Sequence, residues 1–230
     1  MKQILTLALV CATASLAWGQ TQTLSTNMTV NAAIPNNFNG LVSDVTVGGL
    51  NAAISSVTVN LDITGANGFY NGDLYAYLVG PDGGFAVLLN RVGVSSGNAY
   101  GYSDQGFDVT LSDAAANGSI HDYQNVGGYS IVAGQLTGTW QPDGEDIDPE
   151  SDPSAFTGSQ TAMLGSFINT DGNGQWALFL TDVSAVGQGT IVGWDLTLNT
   201  VPEPSTATLL AMAAACLGGW RYRIAKKAKV

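Results

Sequence analysis

The sequence predicts an all-β protein built as an antiparallel β-sandwich. Apolar and polar residues alternate over positions 57–63, the period of a strand with one buried face. The central region shows no sustained apolar stripe at helical spacing, although it is rich in glycine. Asn-Gly pairs, which favour turns with positive φ, fall mostly between the alternating runs, at positions 39, 67, 71, 117 and 173. Alternation, frequent turns and the lack of a long helical pattern together favour a sandwich of two sheets.

Five runs carry this alternation, and each predicts one strand. In chain order they cover positions 57–63, 73–79, 107–111, 176–180 and 190–198. In the last two runs Trp176 and Trp194 fall on apolar positions, so we expect both indoles in the core.

Aromatic residues outside these core positions indicate a candidate carbohydrate-binding surface. Tyr75 and Tyr77 share the strand face opposite Leu74 and Ala76. If that face is exposed the two rings form a platform for sugars, and if the second sheet covers it they belong to the core. The candidate stacking residues are Tyr70, Tyr75, Tyr77, Tyr100, Tyr102 and Trp140.

The central region is strongly acidic. Lys2 and the C-terminal tail hold six of the seven basic residues, which leaves Arg91 against seventeen acids, a formal charge of −16. Such a surface excludes nucleic acid and anionic lipid as partners and favours divalent cations or basic partners, although acidity could also serve solubility alone. Both cysteines, Cys11 and Cys216, lie near the termini, so we expect no disulfide in the central region.

The last thirty residues contain three elements in a fixed order. The box Val201-Pro202-Glu203-Pro204-Ser205 precedes fifteen uncharged residues at 206–220, and Arg221 and Arg223 follow. This order resembles the PEP-CTERM sorting signal of Gram-negative bacteria, over residues 201–230. The resemblance implies an exosortase-type processing enzyme, export across the inner membrane, and a cell-surface or extracellular-matrix location, in a setting of exopolysaccharide production. Fifteen helical residues span about 22 Å, short of the hydrocarbon core, so membrane anchoring is expected to be transient. An ordinary C-terminal anchor is the alternative.

The N-terminus predicts a signal peptide over residues 1–19. Lys2 precedes an apolar run at positions 4–10, and small residues then lead to a predicted cleavage between Gly19 and Gln20. A lipoprotein modified at Cys11 is the alternative, but Val10 is large for that cleavage site. The predicted mature domain therefore covers residues 20–200.

Two pairs of segments in this domain have a characteristic arrangement. The first pair, 54–64 and 72–83, contains a Gly-Asp-Leu step and a Pro-Asp-Gly turn, and the second, 174–182 and 189–198, contains two tryptophan strands. Together they resemble the P domain (P/Homo B) that follows the catalytic domain of subtilisin-like proprotein convertases, over about residues 30–199. The resemblance implies an eight-stranded jelly roll that is itself not catalytic. The family usually has a histidine just before the Gly-Asp-Leu strand, whereas the corresponding segment of this chain, residues 65–71, contains none.

Calcium is the predicted ligand, because the chain offers hard oxygen donors. The run at 141–153 places six acids within ten residues, and a second oxygen-rich turn lies at 170–174. The P-domain resemblance adds the acidic turns beside two strands. The candidate ligands are Asp73, Asp143, Asp146, Asp148, Asp171 and Asp182. The alternative for 141–153 is a mobile, solvated loop.

Catalysis is not expected. His121 is the only histidine, and its adjacency to Asp122 predicts a solvated surface pair rather than part of a triad. A zinc site of histidines and cysteines is excluded for the same reason. We therefore expect a non-catalytic exported protein of the cell envelope or matrix, structural or adhesive, with exopolysaccharide or an exported protein as partner. The alternatives are an accessory module that stabilises a protease or other exported enzyme, and a hydrolase that uses His121.

Overall fold

The computed structural model describes residues 21–66 and 68–201, which form two β-sheets. The predicted signal peptide, its cleavage site at Gly19 and Gln20, and the sorting signal from Pro202 onward lie outside the described residues. Within the described part, no helix has the length and apolar character needed to cross a bilayer. The strands are β1 Gln22–Ser25, β2 Met28–Ala33, β3 Leu41–Val47, β4 Ile54–Gly65, β5 Leu74–Val79, β6 Phe85–Asn90, β7 Gly106–Leu111, β8 Ser130–Val132, β9 Gln135–Trp140, β10 Gly174–Asp182 and β11 Gly189–Thr200. Short 3₁₀ turns cover Asn71–Asp73, Ile120–Asn125, Pro153–Ala155 and Leu164–Phe167.

The larger sheet has the strand order β1-β11-β4-β7-β9-β8, and β2 also pairs with β11. The smaller sheet has the order β3-β10-β5-β6. All pairs between these strands are antiparallel except β7 with β9, where Phe107 aligns with Leu136. The prediction of a wholly antiparallel sandwich is therefore wrong at this one pair. The parallel pairing is possible because the long connection over residues 112–134, including β8, returns the chain before β9 begins.

The five predicted strands are confirmed as β4, β5, β7, β10 and β11. Trp176 and Trp194 are buried in the core, as expected. The Trp194 indole Nε1 donates a hydrogen bond of 2.9 Å to the Ser43 hydroxyl, which links the larger sheet to β3 of the smaller one. Two of the candidate carbohydrate-stacking residues, Tyr102 and Trp140, are core residues instead, so that part of the prediction is wrong.

The glycines of the Asn-Gly pairs serve two different purposes. Gly68, Gly118 and Gly174 have positive φ, as the turn prediction requires. Gly40 and Gly72 do not, and they are needed for close packing instead. A Cβ on Gly72 would lie 2.2 Å from the Tyr100 carbonyl oxygen, so the Gly-Asp-Leu step needs glycine where it passes another stretch of backbone.

Candidate functional site

His121 is buried, and its partner is Asp143 rather than the adjacent Asp122. The Ser119 hydroxyl accepts the His121 backbone N–H at 3.2 Å and caps the 3₁₀ turn that carries the ring. The ring Nδ1 lies 2.8 Å from Asp143 Oδ2, and Nε2 lies 2.9 Å from the Val94 carbonyl oxygen. Asp122 is exposed. The prediction of a solvated surface pair is therefore wrong, because neighbouring residues in a tight turn point to different sides.

The environment of the ring favours its protonated form. Burial alone lowers the pKa of His121, but the hydrogen bond and charge of Asp143, with the Val94 carbonyl, raise it to about 9. Burial raises the pKa of Asp143, and the N–H groups of His121, Asn90 and Glu145 oppose that rise. Both ring nitrogens of His121 then act as donors to buried oxygens. In this arrangement the ring has no free nitrogen to accept a proton from a nucleophile.

Glu145 completes a buried group of three with His121 and Asp143. Their ligand atoms lie within 4.8 Å of one another, close enough to hold a metal ion. However, the Glu145 carboxylate already accepts the Thr157 N–H at 2.6 Å and the Gly158 N–H at 3.2 Å. Each of these ligand atoms therefore already has a hydrogen-bond partner in the protein. His121 and Asp143 form an ion pair, and Glu145 caps the loop that follows it. The first part of the run at 141–153 is thus ordered and buried, and the solvated-loop alternative is wrong there.

Arg91, the only arginine or lysine among residues 21–201, is half-buried and held by contacts within the protein. Its guanidinium lies 5.9 Å from the centre of the Phe156 ring, and His121 stacks on the same ring at 6.1 Å. Its N–H groups donate to three backbone carbonyls, those of Gly72, Ala99 and Pro149. The two side chains of the described region that can be positively charged near neutral pH are therefore gathered around Phe156.

A second group lies at the end of the smaller sheet, where β10 ends at Asp182 opposite the start of β5 at Leu74. This pairing brings Asp182 beside Asp73, and both are largely buried, with exposures of 0% and 8%. Asp182 Oδ1 accepts the Ser184 N–H at 2.7 Å. Asp182 Oδ2 is buried and has no hydrogen-bond partner among the described residues, and the same holds for Asn36 Oδ1 beside it.

The electrostatics of this acidic group are unfavourable. Burial raises the pKa of Asp182 to about 6, the charge of Asp73 adds to the rise, and the Ser184 N–H opposes it. Burial also raises the pKa of Asp73, against the lowering effect of Arg91. Two carboxylates of raised pKa, together with the unpartnered oxygens of Asp182 and Asn36, indicate a place that favours added positive charge.

The other predicted calcium ligands have separate roles. Asp146 and Asp148 are exposed, and Asp148 Oδ1 accepts the Glu150 N–H at 2.9 Å. Asp171 is exposed, and hydrogen bonds from the Asn173 N–H and side-chain amide lower its pKa. The structure thus brings Asp73 and Asp182 together, with Asn36 added. Asn36 was not predicted, because an uncharged residue near the start of the domain gives no sequence signal for a ligand.

Asn71, the residue directly before the Gly-Asp-Leu step, makes buried hydrogen bonds to the start of β7. Its Oδ1 accepts the Gly106 N–H at 2.7 Å, and its Nδ2 donates to the Gly106 carbonyl at 3.0 Å. The same Nδ2 lies 3.3 Å from the Tyr123 hydroxyl. The side chain is fully buried, so these bonds join the 3₁₀ turn to the start of β7.

Tyr75 and Tyr77 lie on the outer face of the smaller sheet and are half-buried. Phe179 stacks on Tyr77 with ring centres 4.7 Å apart and an interplanar angle of 15°, and Phe85 packs at 5.2 Å. Since the faces of Tyr77 and Phe179 cover one another, they are not open to a sugar ring. Val42, on the edge strand and paired with Phe179, is 56% exposed and extends the apolar patch. We call Val42, Tyr75, Tyr77, Phe85 and Phe179 the aromatic patch.

The outer face of the larger sheet carries a polar groove of about 490 Å³. Asp62 and Asp108 are directly opposed across β4 and β7 in its floor, and Asp195 lies on the neighbouring strand. Gln135 Nε2 donates to Asp62 at 2.9 Å. The groove is therefore acidic, in keeping with the rest of the surface.

Comparison with known proteins gives few matches. No family model matches the chain, and no curated protein matches it. Among solved structures, the serine protease of Aeromonas sobria in complex with its chaperone ORF2 aligns at 16% identity and a TM-score of 0.45, over 80% of this chain and 28% of that one. The structure of the same protease alone aligns at 16% identity and a TM-score of 0.44, over 79% and 27%. The chain thus spans less than a third of the length of these proteins, and a likeness of this strength does not define a function.

Proposed function

We propose that the protein is a non-catalytic exported protein of the cell envelope or extracellular matrix, with a structural or adhesive role and a P-domain-like jelly roll. The observation that carries this proposal is that His121 is buried and that the half-buried Arg91 is engaged by three backbone carbonyls. With these two groups turned toward Phe156, the surface of residues 21–201 offers carboxylates without cationic side chains between them. Such a surface attracts divalent cations, and we infer that these cations bridge it to other anionic polymers.

The state of His121 supports a non-catalytic role. A general base must have a free nitrogen within hydrogen-bond reach of the nucleophile. The two nitrogens of His121 instead contact Asp143 and the Val94 carbonyl, and the raised pKa keeps the ring protonated near neutral pH. A hydrolase that uses His121 is therefore disfavoured by this geometry.

Export is tested by the intact mass of the native protein, recovered separately from the membrane and the medium of its host. We expect a form that begins at Gln20 and ends near residues 202–204. A form that ends at Val230 and is found only in the membrane would contradict sorting and indicate a tethered periplasmic domain.

The adhesive role is tested by sedimentation of the purified protein with the exopolysaccharide of its host, in calcium and in EDTA. We expect cosedimentation in calcium and loss of binding in EDTA. Failure to bind polysaccharide under either condition would contradict the adhesive role while leaving the export test unaffected.

The aromatic patch favours a second candidate, an accessory module for an exported enzyme. Partly exposed apolar patches rimmed by polar residues often mark protein interfaces. Val42→Asp places a charge at the exposed edge of this patch, and Val186→Asp is a matched control because Val186 is 66% exposed in a loop. If an exported enzyme copurifies with the wild type and with Val186→Asp but not with Val42→Asp, the accessory role is supported. Equal recovery with both variants would contradict this use of the patch.

A further inference from the structure

Residues from three separate segments are brought beside one another at the end of β10. Asn36 follows β2, Asp73 closes the 3₁₀ turn before β5, and Asp182 ends β10. Backbone hydrogen bonds fix this arrangement: the Asp182 N–H donates to the Pro35 carbonyl at 3.0 Å, and the Val183 N–H donates to the Asp73 carbonyl at 2.8 Å. The positions of the three side chains are therefore set by the fold.

The oxygens at this place lack donors. Asp182 Oδ2 and Asn36 Oδ1 are both buried without a hydrogen-bond partner among the described residues. Asn36 Nδ2 donates to the Gly187 carbonyl at 3.1 Å, which fixes the amide so that its oxygen is directed away from that bond. Buried acceptors without donors are rare in folded proteins and destabilise them.

No basic side chain of residues 21–66 and 68–201 forms a hydrogen bond or salt bridge with these oxygens. Arg91 is the nearest basic residue, but its Nη1 and Nη2 groups donate to the carbonyls of Pro149 and Ala99, and its Nε donates to Gly72. The described region contains no lysine. Asp182 Oδ2 and Asn36 Oδ1 are therefore open to a ligand from the solvent.

We propose that Asp73, Asp182 and Asn36 form a binding site for a divalent cation, and that this cation is calcium. Two carboxylates and an amide oxygen are hard ligands of the kind calcium takes, and calcium tolerates the irregular geometry of side chains from three segments better than magnesium does. The proposal deepens the proposed function and rests on it, because it assumes that the protein is exported. Outside the cell, calcium is present at the concentrations at which extracellular modules bind it. The bound ion would tie the β2–β3 connection to the ends of β5 and β10.

The test is calcium titration of the purified protein after removal of metal with EDTA, followed by calorimetry and by thermal unfolding. Extracellular calcium modules bind with Kd of about 10⁻⁴ to 10⁻³ M. Calcium at ten times the Kd then shifts the unfolding equilibrium about tenfold. For a domain of this size that shift raises the Tm by about 3–6 °C. We expect one ion per chain and a weaker response to magnesium.

Asp182→Asn removes one ligand charge and keeps the side-chain shape. We expect this variant to fold without calcium and to lose the rise in Tm, whereas Asp44→Asn, the same charge change at an exposed position on β3, keeps it. Asp73→Asn gives the same loss at a less deeply buried residue, should Asp182→Asn fail to fold.

Two results would overturn the site. One is a wild-type protein that neither binds calcium nor changes its Tm over this range. The other is a calcium response that survives in Asp182→Asn and Asp73→Asn, above all if it is lost in Asp171→Asn, which would place the ion in the turn at 170–174. Neither result depends on the processing or sorting of the chain, so failure of the site is distinct from failure of the proposed export.

Discussion

Asp143→Asn removes the carboxylate that faces the buried His121, and it should destabilise the protein in a pH-dependent way. In the folded protein the pKa of His121 is about 9, against 6.5 for a free histidine. At 1.36 kcal/mol per pKa unit, this difference contributes about 3 kcal/mol of stability. The contribution is fully present below pH 6.5, where both states hold the proton, and it is lost as the pH rises through 9. Wild-type stability should therefore fall between these two values.

The assay is urea unfolding of the wild type and Asp143→Asn at several pH values from 6 to 9.5. At pH 6 the variant leaves a buried imidazolium without its carboxylate, a change that costs about 3–5 kcal/mol. In a domain of this size that lowers the Tm by about 6–20 °C. The loss should shrink as the pH rises, because the wild type then loses its own ion pair. Asp122→Asn is the matched control: Asp122 is the exposed carboxylate next to His121 in sequence, and its removal should cost less than about 0.5 kcal/mol.

Three results would refute this reasoning. Wild-type stability could be constant, or could increase, between pH 6.5 and 9. Asp122→Asn could destabilise as much as Asp143→Asn. Finally, an NMR titration of the His121 ring could give a pKa below 7, which would mean that the ring is neutral and the pair is an ordinary hydrogen bond.

Two further predictions concern the segment before β5. Gly72→Ala should lower the free energy of unfolding by about 2–4 kcal/mol, since the new methyl group would meet the Tyr100 carbonyl and the backbone nearby cannot yield cheaply. Gly127→Ala, which meets open space, should be nearly neutral, and equal losses in chemical denaturation would show that the close approach is unimportant. Asn71→Leu should cost about 2–4 kcal/mol because it leaves the Gly106 N–H and carbonyl buried without partners. Rapid hydrogen exchange at the Gly106 amide should accompany that loss, and unchanged protection would contradict it.

Strand prediction succeeded for five strands that have one buried face, and the strands it missed include β6, which is buried on both faces. Each of the five alternating runs became a strand, with the apolar positions inward. β6 was not predicted, because five of its six residues are buried and the alternation disappears. The reason lies elsewhere in the chain: the Asp143 and Gly144 N–H groups donate to Leu88 and Val87, so a loop covers the edge of β6. Because this loop comes about 55 residues later in the chain, the sequence of β6 itself carries no periodic signal of its burial.

The candidate sites were also hard to predict, because they depend on contacts between residues that are distant in the sequence. His121 and Asp143 are 22 residues apart, so the sequence offered Asp122 as the obvious partner and gave the wrong pair. Asp73 and Asp182 were both among the predicted ligands through the P-domain resemblance, but composition alone could not separate them from Asp146 or Asp171. What separates them is burial, which depends on the pairing of β10 with β5. Asn36 is added to the proposed site because its amide oxygen lacks a hydrogen-bond donor, and this can be seen only in the folded chain.

The proposed calcium site and the proposed adhesive role both depend on divalent cations, but experiments can separate them. With Arg91 and His121 engaged around Phe156, no lysine or arginine of the described residues forms a salt bridge with a surface carboxylate, and the site at Asp182 would hold one cation from solution. Asp182→Asn removes that ion and leaves the groove carboxylates Asp62 and Asp108 in place. If calcium-dependent binding to polysaccharide survives in this variant while the calcium-dependent rise in Tm is lost, adhesion occurs through ions spread over the surface. If both are lost together, the bound ion acts on adhesion through the three segments that it ties, and the binding surface lies near the end of β10.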